Sequence, residues 1–232
     1  ETMKSALDML KRERLVVSRR GSGSYVRART ERPVGLRPHV EAAFARSHVT
    51  IDFAGFSSET LHGVLQEPLD KIRAGRLTPE SIIIRVLLPD LSGPTLIPSR
   101  AADGVDDPAV RARASRIARR HTEAIADSVR ELSALGLVRN AQAQIRTYAT
   151  TPQFKLYILN QEEAFFGFYP VVQHPVPING DSLPINDVMG KDATLFHFAA
   201  DEEDGSMATE YVAQARRWFD SVWTTISREY EV

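Results

Sequence analysis

The chain has 232 residues, of which 29 are Lys or Arg and 30 are Asp or Glu, for a formal net charge of −1. Apolar residues make up 43% and charged residues 25%, a globular balance that excludes wholesale disorder. The absence of cysteine excludes a disulfide scaffold, a thiolate nucleophile and any cysteine-ligated metal site. No apolar run nears the roughly 18–20 residues of a membrane span. The longest, Ile82 to Leu88, is broken by Arg85. With charged, helix-like text at its start and no apolar signal core, the chain reads as a cytoplasmic protein. The near-neutral total is unevenly spread: residues 1–48 hold 11 basic and 5 acidic residues, leaving 18 and 25 in residues 49–232. That division fits a nucleic-acid reader joined to a second module, or an Arg-rich face that is merely solvated.

Met3, Ala6, Leu7 and Leu10 fall on one stripe of a helix, with Thr2 and Lys4 off it. Leu15 to Val17 reads as a short strand. Arg19-Arg20-Gly21-Ser22-Gly23 reads as a cationic turn, and Ser24 to Val26 as the returning strand. A helix followed by a two-stranded ribbon with a basic glycine tip is the second half of a winged helix-turn-helix. The stretch ETMKSALDMLKRERLVVSRRGSGSYV resembles the recognition helix and wing of the GntR transcriptional regulators, apart from Arg14, where the family often has glycine. The resemblance covers about 26 residues. It implies two further helices ahead of the recognition helix, which this sequence does not include. It also implies that Thr2, Lys4, Arg19, Arg20, Ser22 and Gly23 contact double-stranded operator DNA, and that the protein is a homodimer, since a palindromic operator needs a two-fold reader.

Residues 30–48, interrupted by Pro33, Gly35 and Pro38, read as a linker with room for a short helix at 39–46. A larger domain is expected over 49–232. Val49 to Phe53 is a β-branched strand, Thr60 to Ala74 a helix with Pro68 inside it, and Ser81 to Leu88 a near-continuous apolar strand. Together they make a βαβ crossover and place the domain in the α/β class. Residues 89–107 read as a loop and Pro108 to Leu135 as a long helix closed by Gly136. Three further strands are expected at 144–148, 155–160 and 164–169. A proline-rich loop (170–184), a strand at 194–198 and a final helix from Met207 to Tyr230 complete the chain.

Within the strands at 155–169, Gln153-Phe154-Lys155 is followed four residues later by Asn160 and six after that by Gly167-Phe168. This spacing and the order of elements resemble the phospholipase D superfamily, whose motif is His-x-Lys-x4-Asp-x6-Gly-Ser. The resemblance spans roughly residues 49–232 and implies a mixed sheet flanked by helices. Glutamine replaces the motif histidine, asparagine the aspartate and phenylalanine the serine. The amide of Gln153 is no nucleophile, and Asn160 cannot orient an imidazolium as a carboxylate does. The resemblance therefore implies a binding site without chemistry, with Lys155, Gln153 and Asn160 holding a small polar effector. Tyr148 and Tyr157 are candidate stacking surfaces, or plain sheet residues. His197 is either a pocket residue or a surface strand histidine.

The histidines show no HxH or HExxH spacing, so no metal site is expected, and no cofactor. His121 reads as a core or interface residue. The acidic run Asp201 to Asp204 reads as a solvated loop before a helix. The expectation is a non-enzymatic, ligand-responsive DNA-binding regulator. The alternatives are a diverged phosphodiesterase with a DNA-binding arm, or a ligand-free dimerisation module.

Overall fold

The computed structural model describes residues 16–19, 23–26, 35–190, 193–200 and 206–230. The chain divides into two units, Glu1–Val34 and Gly35–Val232. In the first, β1 (Val16–Arg19) and β2 (Gly23–Val26) form an antiparallel ribbon with Val16 opposite Val26 and Arg19 opposite Gly23. The expected helix with Thr2 and Lys4, and the tip residues Arg20 and Ser22, lie outside the described residues. So does the acidic run at 201–204.

In the second unit the chain passes in order through α1 (Leu36–Ala43), β3 (His48–Ala54), α2 (Glu59–Arg73), β4 (Ser81–Pro89), β5 (Ser99–Arg100), α3 (Pro108–Ala134) and β6 (Asn140–Tyr148). It continues through β7 (Phe154–Leu159), β8 (Glu163–Phe168), β9 (Val171–Ile178), β10 (Asp181–Val188), β11 (Phe196–Ala199), α4 (Met207–Thr225) and β12 (Arg228–Glu229). A seven-stranded mixed sheet has the order β11-β8-β7-β3-β4-β6-β12. The β3–β4 and β4–β6 pairs are parallel, and the others antiparallel. The fold is thus mixed α/β, and α2 makes the expected crossover between β3 and β4. No helix among the described residues is long and apolar enough to cross a membrane.

Alternation along the strands builds two cores. Val49, Ile51 and Phe53 of β3 join Ile82, Ile84 and Val86 of β4 beneath α1, α2 and α3. On the opposite face Leu156, Ile158 and Ala164 pack against Val212, Phe219 and Trp223 of α4. The helices start where their caps allow. The Asp107 side chain accepts from the N–H groups of Ala109 and Val110, with Pro108 in the first turn, and Ser206 accepts from Thr209 N–H. Gly136, at φ 67°, supplies the left-handed turn after α3.

Three expectations change. Residues 30–48 are not a linker throughout: Leu36, Val40, Ala43 and Phe44 are buried in the main core, so the large unit begins at Gly35. The proline-rich stretch 170–184 is not a loop but most of the β9–β10 hairpin, turned at Asn179-Gly180 with φ of 53° and 95°. Asn-Gly is the preferred type I′ pair, and Pro175 and Pro177 lie on edge strand β9, where a missing N–H is tolerated. The last helix ends at Thr225, and Arg228–Glu229 pairs with the edge of β6.

Asp52 and Arg85 face each other across the parallel β3–β4 pair. Asp52 is 2% exposed and accepts two bonds from Arg85, at 2.6 and 2.7 Å, and one from Gln161 Nε2 at 2.9 Å. The guanidinium lies over the rings of Phe219 and Trp223 and also reaches Asp220 of α4. Burial lowers the Arg85 pKa, but the bonds to Asp52 and Asp220 outweigh it and hold the group above its ordinary value. Removing one partner of such a pair strands the other charge in the interior. An Asp52→Ala variant is expected to lose roughly 3 kcal/mol of stability by urea unfolding, more than an Asp220→Ala variant at the exposed end of the same network.

Candidate ligand cleft

The carboxyl end of β3 runs through Gly55-Phe56-Ser57-Ser58 into α2, the position where open α/β sheets form ligand crevices. A Cβ on Gly55 would lie 2.5 Å from the Phe53 ring and 2.7 Å from Tyr169 Oη, so only glycine lets the chain pass there. Tyr169 Oη accepts a bond from Phe56 N–H at 3.1 Å, which fixes the turn. Burial pushes the Tyr169 hydroxyl up to about 12, so it stays protonated. Beside this turn is a cavity of about 630 Å³. Its walls come from α1 (Arg37), the start of α2 (Ser58, His62), α3 (Arg113, His121), β7 (Tyr157) and the β9–β10 hairpin (His174, Asp187).

The lining is more apolar than polar, and its polar groups include two arginines, Arg37 and Arg113, two acids, Glu59 and Asp187, and three histidines. Ser58, at the N-cap of α2, is 1% exposed with φ 51°, and the left-handed backbone turns its hydroxyl away from the capping position. That hydroxyl has no hydrogen-bond partner. The Tyr157 hydroxyl, also buried, makes no well-formed bond either; burial raises its pKa, and Thr60 only partly offsets this. His62 and His121 approach Nδ1 to Nδ1 at 3.3 Å. Burial, and then the neighbouring His121, lower the His62 pKa and favour its neutral form. His174 Nε2 lies 3.4 Å from Asp187 Oδ2. Burial raises the Asp187 pKa against the opposing pull of Val188 N–H, His174 and Arg113.

The residues singled out in the sequence fall elsewhere, except Tyr157. Lys155 is 3% exposed, not an edge lysine, and its ammonium donates to the Gly190 carbonyl at 2.6 Å. It braces the segment after β10, which lines the cleft, rather than reaching the cleft itself. Its cross-strand partner is Gly167, where a Cβ would meet the Thr194 carbonyl at 2.7 Å. Asn160 sits at the far end of β7 in a left-handed turn (φ 49°). Its amide accepts from Thr50 N–H and donates to the Ala43 carbonyl, so it clips α1 to the sheet. The Gln153 side chain is exposed; its backbone carbonyl accepts from Tyr169 N–H. Tyr148 packs against the α4-side core, and His197 pairs with Glu163 near α1. His121, expected in a core or interface, lines the cleft.

Sequence reasoning missed Arg37, His62, Arg113, His174 and Asp187 as site residues because they share no motif spacing. The available signal was the Gly-Phe-Ser-Ser turn after a parallel strand, which marks where a crevice forms but not which distant side chains reach it. No protein-family model matches this chain, and no curated protein or solved structure matches it either.

The Lys155 ammonium has a testable cost. Burial depresses its pKa below the ordinary 10.5. Below the depressed value Lys155 is charged in both folded and unfolded states, and the full desolvation cost is present. Between that value and 10.5 the unfolded chain keeps a proton the folded protein has shed, so stability rises with pH. In Tm measurements across this range, wild type is expected to gain on a Lys155→Met variant as pH rises from neutral, with the variant's relative stability greatest at the acid end.

Proposed function

We propose that the chain is a DNA-binding transcriptional regulator of GntR type. Its large unit acts as a phospholipase D-like effector domain, taking a small polar anion without transforming it, and it assembles as a homodimer. The observation that carries the effector reading is the cleft at the carboxyl end of β3. It combines a buried, unpartnered Ser58 hydroxyl at a helix N-terminus with Arg37, Arg113 and three histidines. Helix N-termini and guanidinium groups favour phosphate and carboxylate oxygens. Glu59 and Asp187 in the same wall favour a ligand that also offers hydroxyl or amine donors, as a phosphorylated or carboxylated sugar does. The DNA-binding part of the reading rests on the GntR-like text and on the β1–β2 ribbon between Val16 and Val26.

The effector reading is tested by thermal-shift screening with phosphorylated sugars and carboxylates. A hit is expected to lose roughly tenfold or more in affinity in an Arg113→Ala variant of unchanged Tm. Equal affinity in the variant would remove the cleft from the reading. The DNA reading predicts that Arg20→Ala, in a protein carrying a complete winged helix, lowers the log K against log salt slope by about 1. An unchanged slope and affinity would remove the wing.

One observation favours a second reading, a phosphodiesterase. The close His62–His121 pair and the His174–Asp187 pair share one cavity, which places acid–base groups where the motif residues are lacking. On the effector reading bis(p-nitrophenyl) phosphate is not hydrolysed above background. Turnover abolished by His62→Ala would establish the enzyme instead.

A further inference from the structure

Away from the cleft, at the opposite end of β8 from Gly167, three potential ligands converge from three elements. His39 projects from α1, Glu163 opens β8 and His197 lies on β11. Glu163 and His197 are diagonal neighbours on one face of the antiparallel β8–β11 pair, in register with Ala199 and Phe165 respectively. Glu163 Oε2 lies 2.6 Å from His39 Nδ1 and 2.7 Å from His197 Nε2. The rings are held in place: Phe165 stacks on His197 at 4.4 Å and meets His39 edge-on at 5.0 Å. The three donor atoms all lie within 4.8 Å of one another, and this is the one such group of three among the described residues.

We propose that His39, Glu163 and His197 form a binding site for a divalent transition-metal ion, with zinc the best match to the donor set. Two imidazoles and a carboxylate are a recurrent zinc set, and bonds of about 2.0–2.2 Å place neighbouring donors about 3.3 Å apart. Opening the two contacts of 2.6 and 2.7 Å by about 0.6–0.7 Å makes room for the ion. Each imidazole would ligate through its unprotonated ring nitrogen with its proton on the other nitrogen, so the ion takes the place of the two hydrogen bonds that now converge on Glu163 Oε2. The side chains are 24%, 26% and 11% exposed, so solvent can reach the ion and complete its coordination. The His62–His121 and His174–Asp187 pairs each offer two donors and are poorer sites. An ion here ties α1, the first helix of the large unit, to β11, which stands next to β8 at the end of the described sheet.

The test is calorimetric titration of chelator-treated protein with zinc chloride, alongside visible absorption of the protein with cobalt(II). One ion per chain is expected, with an intense cobalt spectrum typical of four or five ligands including nitrogen. His39→Ala and Glu163→Gln should each weaken zinc binding about 100-fold, whereas His62→Ala should leave it unchanged. Glu163→Gln keeps the size and hydrogen-bonding shape of the side chain, so it reports on ligation even if the helix variant unfolds. Failure of wild type to bind zinc saturably would overturn the proposal. So would a weak, aqueous-type cobalt spectrum, binding that survives both substitutions, or binding lost only with His62.

Discussion

The Asp52–Arg85 pair is the interaction on which the large unit turns. The two residues are register partners at the centre of the sheet, and both project onto the face that α4 covers. A slip of one residue between β3 and β4 would turn one strand's side chains to the other face of the sheet, separating Asp52 from Arg85 and burying the carboxylate without its guanidinium. The pair therefore selects one register, and the same arginine then sets where α4 lies through Phe219, Trp223 and Asp220. With β3 and β4 so fixed, the chain must leave β3 at Ala54 and turn at Gly55, and that turn forms one wall of the cleft.

Several polar residues that look like ligand groups serve this frame. Lys155 holds the segment after β10 by the Gly190 carbonyl, and Asn160 holds α1 by the Ala43 carbonyl. Both carbonyls also accept a backbone N–H, from Ala193 at Gly190 and from Arg46 at Ala43, so each side chain adds a second bond to an anchored turn. Among the described residues the buried hydroxyls without a partner are those of Thr50, Ser58 and Tyr157, and the last two line the cleft. The Ser58 hydroxyl is the clearest case, since a serine at an N-cap ordinarily binds the helix's own N–H groups. The anion-binding reading and the metal-site proposal concern opposite ends of the same β7–β8 hairpin. The effector would act through α2, α3 and the β9–β10 hairpin, and the ion through α1 and β11.

What the sequence by itself determined was local. Periodicity marked α2, α3 and the body of α4, the β-branched runs marked β3 and β4, and the order strand–helix–strand required a crossover. The β-branched and aromatic runs at Leu15 to Val17 and Ser24 to Val26 marked β1 and β2. The β9–β10 hairpin was also legible at Asn179-Gly180, but the prolines around it argued for a loop; only the edge position of β9 shows why Pro175 and Pro177 are tolerated. Burial of α1 was not legible, because an eight-residue helix beside prolines looks like a linker until a core is present to receive Val40 and Phe44.

Tertiary structure alone decided which polar groups meet. The spacing from Lys155 to Gly167 suggested a site, and the structure shows two cross-strand partners in which the lysine is a brace. Spacing along a chain cannot say whether a cation faces a cavity or a carbonyl, since that depends on the segment packed above it. The cleft gathers residues from Arg37 to Gly190, and the His39–Glu163–His197 cluster spans a similar separation. A metal or anion recognises points in space and not positions in a sequence. Such groups become visible only when the sheet order and the helices covering it bring distant side chains to one place.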